Sequence, residues 1–150
     1  MPASLPPILV IDDSKDDLHL LKRLLAKAGV KNPVVTFDEA PDAISFLSAA
    51  SSSPDAGLMP CLVMTDLKMP GFDGARFIKW IRAQKALSGM MVVMISGSGV
   101  ERDLNQARAA GADSFFGKFP TAGEMASLVA EASRRRLRGT DRLSDNATRR

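Results

Sequence analysis

The chain has 150 residues, 45% hydrophobic and 25% charged, which suits one globular domain with a full core. No apolar run approaches the ~20 residues of a membrane span, the opening MPASLPP lacks the order of a secretory signal, and the single cysteine, Cys61, excludes an internal disulfide and fits a cytoplasmic setting. The net charge of +3 hides an asymmetry: residues 134–150 hold seven Arg against two Asp, leaving 13 basic and 15 acidic groups on the other 133 residues, so the basic excess does not argue for a nucleic-acid-binding body.

In chain order, short apolar runs alternate with amphipathic stretches. Ile8–Ile11 is continuously apolar and stops at Asp12 and Asp13. Ser14–Ala28 then places Leu18, Leu21, Leu25 and Ala28 at helical spacing, with Gly29 as a stop. Val34–Phe37 is the second run, and Pro41–Ala50 the second helix, with Ile44, Phe46 and Leu47 as its apolar positions. Ser51–Gly57 reads as a flexible loop. Leu62–Met64 precedes Thr65 and Asp66, and Gly74–Gln84, capped by Asp73, carries Phe77, Ile78 and Ile81. Met91–Ile95 ends at Ser96, and Val100–Ala110 follows, closed by Gly111. Ser114–Phe116 leads to Lys118, and Thr121–Leu137 is the last helix, with Met125, Leu128, Val129 and Ala132 facing inward. Strands apolar on consecutive positions are buried on both faces, as in parallel sheets. Five strand–helix pairs predict an α/β fold, a five-stranded parallel sheet with helices on both faces. The domain spans residues 1–138, and 139–150 forms a basic tail without apolar periodicity, expected to be disordered.

Ligands of an open parallel sheet bind outside the carboxyl ends of its strands. The residues after the strands here are Asp12 and Asp13, Asp66 in "TDLKMPGFDG", Ser96 in "ISGSG" and Lys118 in "FFGKFP". Three carboxylates at one edge repel each other without a cation. Mg²⁺ suits carboxylates together with phosphate oxygens, and a lysine and a hydroxyl suit the remaining phosphoryl oxygens. The pattern reads as a Mg²⁺-dependent phosphoryl site with Asp66 as nucleophile.

"ILVIDDS", "LVMTDLKMPGFDG", "VVMISGSG" and "AGADSFFGKF" closely resemble the receiver domains of two-component response regulators, over about residues 7–135. The resemblance implies a flavodoxin-like, CheY-like doubly wound fold. It implies that Asp66 accepts a phosphoryl group from a phosphohistidine on a sensor histidine kinase or phosphotransfer protein. Asp12, Asp13, Asp66 and the backbone carbonyl of Lys68 would bind Mg²⁺, Ser96 and Lys118 would contact the phosphoryl oxygens, and Phe115 matches the switch aromatic. The expected protein is a stand-alone phosphorylation switch that signals through a downstream protein, with at most slow autophosphatase activity. A homodimer is left open. "VVTFDEAPDAISFL" also resembles the small regulators paired with bacterial phytochromes.

Two other classes compete. Haloacid-dehalogenase-like phosphatases and phosphotransferases use an Asp nucleophile with a second Asp two residues on, where this chain has Lys68. A flavodoxin-like cofactor binder needs a phosphate-cradling loop after the first strand, where "DDSKDD" repels phosphate. Singly, Asp12 and Asp13 could be helix caps and Ser96 a turn residue. Met64, Met90, Met91 and Met94 read as core filler, Cys61 as inert, His19 as a surface residue and Trp80 as packing or contact. Receivers usually carry a cis Lys–Pro bond, but Phe119 follows Lys118 and Pro120 comes one place late. A non-proline cis bond costs ~2.5–4 kcal/mol, so a trans Lys118–Phe119 bond is expected, with Lys118 still reaching Asp66.

Overall fold

A computed structural model describes the backbone of residues 5–53, 57–97 and 101–148, and side chains as far as residue 136. The elements are β1 (Ile8–Ile11), α1 (Lys15–Lys27), β2 (Val34–Phe37), α2 (Ala40–Ser52), β3 (Leu62–Thr65), α3 (Gly74–Ala83), β4 (Met91–Ser96), α4 (Glu101–Ala110), β5 (Ser114–Gly117) and α5 (Ala122–Thr148). The five strands form one parallel sheet in the order β2-β1-β3-β4-β5. The chain leaves β1 for β2 on one side and reaches β3 on the other. This reversal opens a crevice at the carboxyl ends of β1 and β3.

Alternating strand residues feed two apolar layers, as a period of two requires. Leu9, Ile11, Val63, Val92 and Met94 pack with α2, α3 and α4 through Leu47, Phe77, Ile78, Ile81 and Ala107. Ile8, Val10, Leu62, Met64, Val93 and Ile95 pack with α1 and α5 through Leu21, Leu25, Met125 and Val129. β1, β3 and β4 are buried throughout. Each fully buried Phe or Ile contributes roughly 1.5–3 kcal/mol over its exposed state, so the three central strands anchor the site's floor. Met64, Met91 and Met94 are core residues, as expected, and Trp80 packs partly buried against the α2–α4 layer. His19 is exposed on α1.

Local chemistry sets the helix starts beside the crevice. Ser14 Oγ accepts from the Asp17 N–H at 3.2 Å, and Asp73 Oδ1 accepts from the Arg76 N–H at 2.9 Å, which are N-caps. Thr121 and Glu124 form a reciprocal capping box at α5, with bonds of 2.9 and 3.1 Å. Two glycines shape the β3–α3 loop. Gly71 has φ of 79°, a left-handed conformation that side chains disfavour. A Cβ at Gly74 would fall on the backbone carbonyl of Asp66.

One expectation changes. The Lys118–Phe119 peptide is cis, not trans. The trans reading let the Pro120 helix entry decide the bond, whereas the capping box opens α5 next to a cis bond equally well. Lys118 is meanwhile tied to the sheet by its N–H, which donates to the Ser96 carbonyl at 2.9 Å. The last helix, α5, ends at Thr148. The expected flexible loop at Ser51–Gly57 partly lies outside the described residues, as do Ser98 and Gly99 of the "ISGSG" motif and the tail side chains.

Candidate functional site

Asp12 and Asp66 sit at the ends of adjacent strands β1 and β3, so sheet pairing sets their separation. The Asp66 N–H donates to the Ile11 carbonyl at 2.9 Å, extending the ladder one residue beyond β3. Carboxylate oxygens of Asp12, Asp13 and Asp66 all lie within 4.8 Å of one another. Asp12 and Asp66 are buried, and Asp13 faces solvent on the rim.

Each buried carboxylate has one oxygen held by backbone. Asp12 Oδ1 accepts from the Ser14 N–H at 2.9 Å, and Asp66 Oδ1 from the Leu67 N–H at 2.9 Å. Both Oδ2 atoms face the lysine. Lys118 Nζ lies 2.8 Å from Asp12 Oδ2, 2.7 Å from Asp17 Oδ2 and 3.7 Å from Asp66 Oδ2. The contact with Asp12 lacks hydrogen-bond alignment, and among the described residues no donor is aimed at that buried oxygen. That oxygen is paired with the ammonium by charge, and a divalent ion at the trio would share it with Lys118. All-oxygen donors from three carboxylates fit a hard divalent ion of the Mg²⁺ type. Lys68 lines a cleft beside Asp13.

The charges are strongly perturbed. Burial, and then the neighbouring Asp12 charge, pushes Asp66 from 3.8 up to about 6, against the pull of Lys118 and the Leu67 N–H. Burial raises Asp12 too, opposed by Lys118 and the Ser14 N–H. For Lys118, burial disfavours the charge, but the close carboxylates of Asp12 and Asp17 and the charge of Asp66 outweigh it, so its pKa is raised. A cation among the carboxylates would remove the repulsion that raises Asp66.

Ser96 lies at the end of β4, almost fully buried, and its hydroxyl donates to Asp103 Oδ2 at 3.2 Å. Phe115 lies on β5 opposite Met94, partly buried against the α2–α4 layer. The structure thus gathers Asp12, Asp13, Asp66 and Lys118, and turns Ser96 toward α4. Sequence reasoning missed Asp17 and Asp103. Asp103 shares a helical stripe with Ala107 and Ala110, all three buried, and a charge on an apolar stripe was the available signal. Asp17 is an acidic residue in the first turn of α1, only four residues past Asp13, and that closeness to the strand-end carboxylates was the available signal.

This geometry agrees with the comparisons. The family model of the response regulator receiver domain matches residues 8–130, and the chain belongs to that family. Receiver domains are signalling switches rather than metabolic enzymes, which decides against the phosphatase and flavodoxin-like alternatives. The two-component response regulator ARR15 of Arabidopsis thaliana is 30% identical over 112 residues, covering 73% of this chain and 53% of that protein. The chain spans about half the length of such relatives. Among solved structures, the bacteriophytochrome response regulator AtBRR is 27% identical with a TM-score of 0.74, over 87% of this chain and 94% of that one. The phosphorylated cyanobacterial phytochrome response regulator RcpA is 25% identical with a TM-score of 0.68, over 84% and 89%. No helix among the described residues is long and apolar enough to cross a membrane.

Proposed function

We propose that Asp66 is the phosphoacceptor of a Mg²⁺-dependent switch. The observation that carries this reading is a buried carboxylate with one oxygen held by the Leu67 N–H and the other facing Lys118, beside two further carboxylates within 4.8 Å. Above about pH 6 Asp66 is ionised, and Oδ2 attacks the phosphorus of a phosphohistidine. A P–O bond forms, the P–N bond breaks, and the electron pair leaves on the imidazole nitrogen. Asp12, Asp13, Asp66 and the Lys68 carbonyl would hold Mg²⁺, which when bound would supply positive charge for the phosphoryl oxygens. Lys118 balances another oxygen, and Ser96 turns from Asp103 to donate to a third. That turn vacates space for Phe115 and carries the signal to the face formed by α4, β5 and α5. Slow hydrolysis of the acyl phosphate resets the switch.

The donor would be a sensor histidine kinase or phosphotransfer protein in the cytoplasm, and the output a contact with a downstream protein, as monomer or homodimer. The likeness to AtBRR and RcpA supports a kinase of the bacterial phytochrome type. Residues 139–150 are a basic tail appended to the receiver at 1–138.

Labelling by acetyl phosphate with Mg²⁺ tests the acceptor. Asp66→Asn should abolish it, and undiminished hydroxylamine-sensitive label on that variant would refute the assignment. Phosphotransfer profiling against the sensor kinases of the same genome would identify the donor.

A further inference from the structure

Asp17 has no role in the site described so far, yet it makes the shortest contact to the lysine. It is the third residue of α1. Its backbone N–H is taken by Ser14 Oγ, which sets its position in the first turn and leaves the carboxylate free to reach across to the β5–α5 loop. There it accepts from Lys118 Nζ at 2.7 Å. The pair is well shielded, with the lysine side chain 13% and the aspartate side chain 27% exposed.

An ammonium has three N–H groups. Here its two near partners are Asp12 Oδ2 at 2.8 Å and Asp17 Oδ2 at 2.7 Å, while Asp66 Oδ2 stands off at 3.7 Å. Lys118 is therefore drawn toward α1 and away from the acceptor oxygen. The two near partners differ in kind. Asp12 belongs to the carboxylate trio that can face a cation, and Asp17 does not. With that trio engaged, Asp12 has its charge balanced elsewhere, and Asp17 is left as the carboxylate competing for the ammonium.

We propose that Asp17 is a positioning residue that tethers Lys118 to α1, so that a phosphoryl group on Asp66 must compete with it for the ammonium. The tether weakens the grip on the phosphorylated acceptor and shortens the life of the active state. This rests on the reading of Asp66 as acceptor and Lys118 as its counter-charge.

The test compares the full chain with Asp17→Asn and, as a control, Asp16→Asn. Asp16 is an exposed carboxylate in the same first turn, so its removal makes the same change of net charge. Two quantities are measured: the beryllofluoride dissociation constant by calorimetry at saturating Mg²⁺, and the Nζ to Asp66 Oδ2 distance in metal-free crystals. Loss of a competing charge-assisted bond at a partly exposed pair should tighten beryllofluoride by about three- to tenfold. The distance should fall below the present 3.7 Å, and Asp16→Asn should leave both unchanged. Unchanged or weaker binding in Asp17→Asn overturns the proposal. Equal tightening in Asp16→Asn, or tightening without movement of Lys118, also overturns it, because the effect is then bulk charge. Failure of the wild type to bind beryllofluoride overturns the acceptor reading itself, and this proposal with it.

Discussion

Replacing Asp66 by asparagine removes a charge from a buried site while keeping the side chain's shape. The amide oxygen can still accept from the Leu67 N–H that now holds Asp66 Oδ1. In the folded protein Asp66 titrates at about 6 against an ordinary 3.8, chiefly through burial and the Asp12 charge. The native state therefore keeps its proton over a pH range in which the unfolded chain has lost it. The cost of ionising Asp66 is absent below about pH 3.8, grows as pH rises, and is complete above about pH 6. At about 1.36 kcal/mol per pH unit that cost is roughly 3 kcal/mol, a large part of the ~5–15 kcal/mol that stabilises a small domain. Asp66→Asn should thus be more stable than the wild type by ~2–3 kcal/mol at pH 7.5 in EDTA. The difference should shrink toward zero as pH approaches 4. Urea unfolding of both proteins between pH 4.5 and 8 measures this. A variant no more stable than wild type at pH 7.5, or a difference independent of pH, would refute the electrostatic account. Added Mg²⁺ should narrow the gap by stabilising the wild type, since binding to the folded state alone raises stability by mass action.

Gly74→Ala should cost ~1–3 kcal/mol, in the range of overpacking, because its Cβ meets the Asp66 carbonyl; a neutral urea midpoint would argue against the close approach. Lys118→Ala should bind Mg²⁺ several-fold more tightly by calorimetry, since it removes a cation 2.8 Å from Asp12 and 3.7 Å from Asp66, and unchanged affinity would count against the shared site. Arg82→Met should lose about 2–4 kcal/mol by thermal or urea unfolding. It breaks bonds to the Gly111, Ser88 and Met90 carbonyls and an ion pair with Asp113 at 2.8 Å, and a loss under ~1 kcal/mol would mark the clamp as solvent-screened. Beryllofluoride should move Ser96 off Asp103 and Phe115 inward, and crystals with and without the mimic showing both residues unmoved would refute that coupling.

The sequence by itself determined the five strands, the five helices and the parallel sheet. Apolar runs without alternation, such as Ile8–Ile11 and Leu62–Met64, have only one stable placement, between two helical layers. It also determined that Asp12, Asp13, Asp66 and Lys118 share one edge, because every strand of a parallel sheet ends on the same side. A helix start was legible where capping chemistry is local, at Asp73. The partners of these groups were not legible. Lys118 and Asp17 lie 101 residues apart, and no local pattern records which carboxylate an ammonium prefers. The turn of Ser96 toward Asp103 depends on how α4 docks against β4 and β5. The Lys118–Phe119 bond is cis, although local cost argued for trans. Periodicity and capping are properties of neighbours along the chain and survive in the bare sequence. Ion-pair choice, side-chain direction and that one peptide's geometry depend on distances between elements, which exist only once the sheet is closed and its two apolar layers are packed.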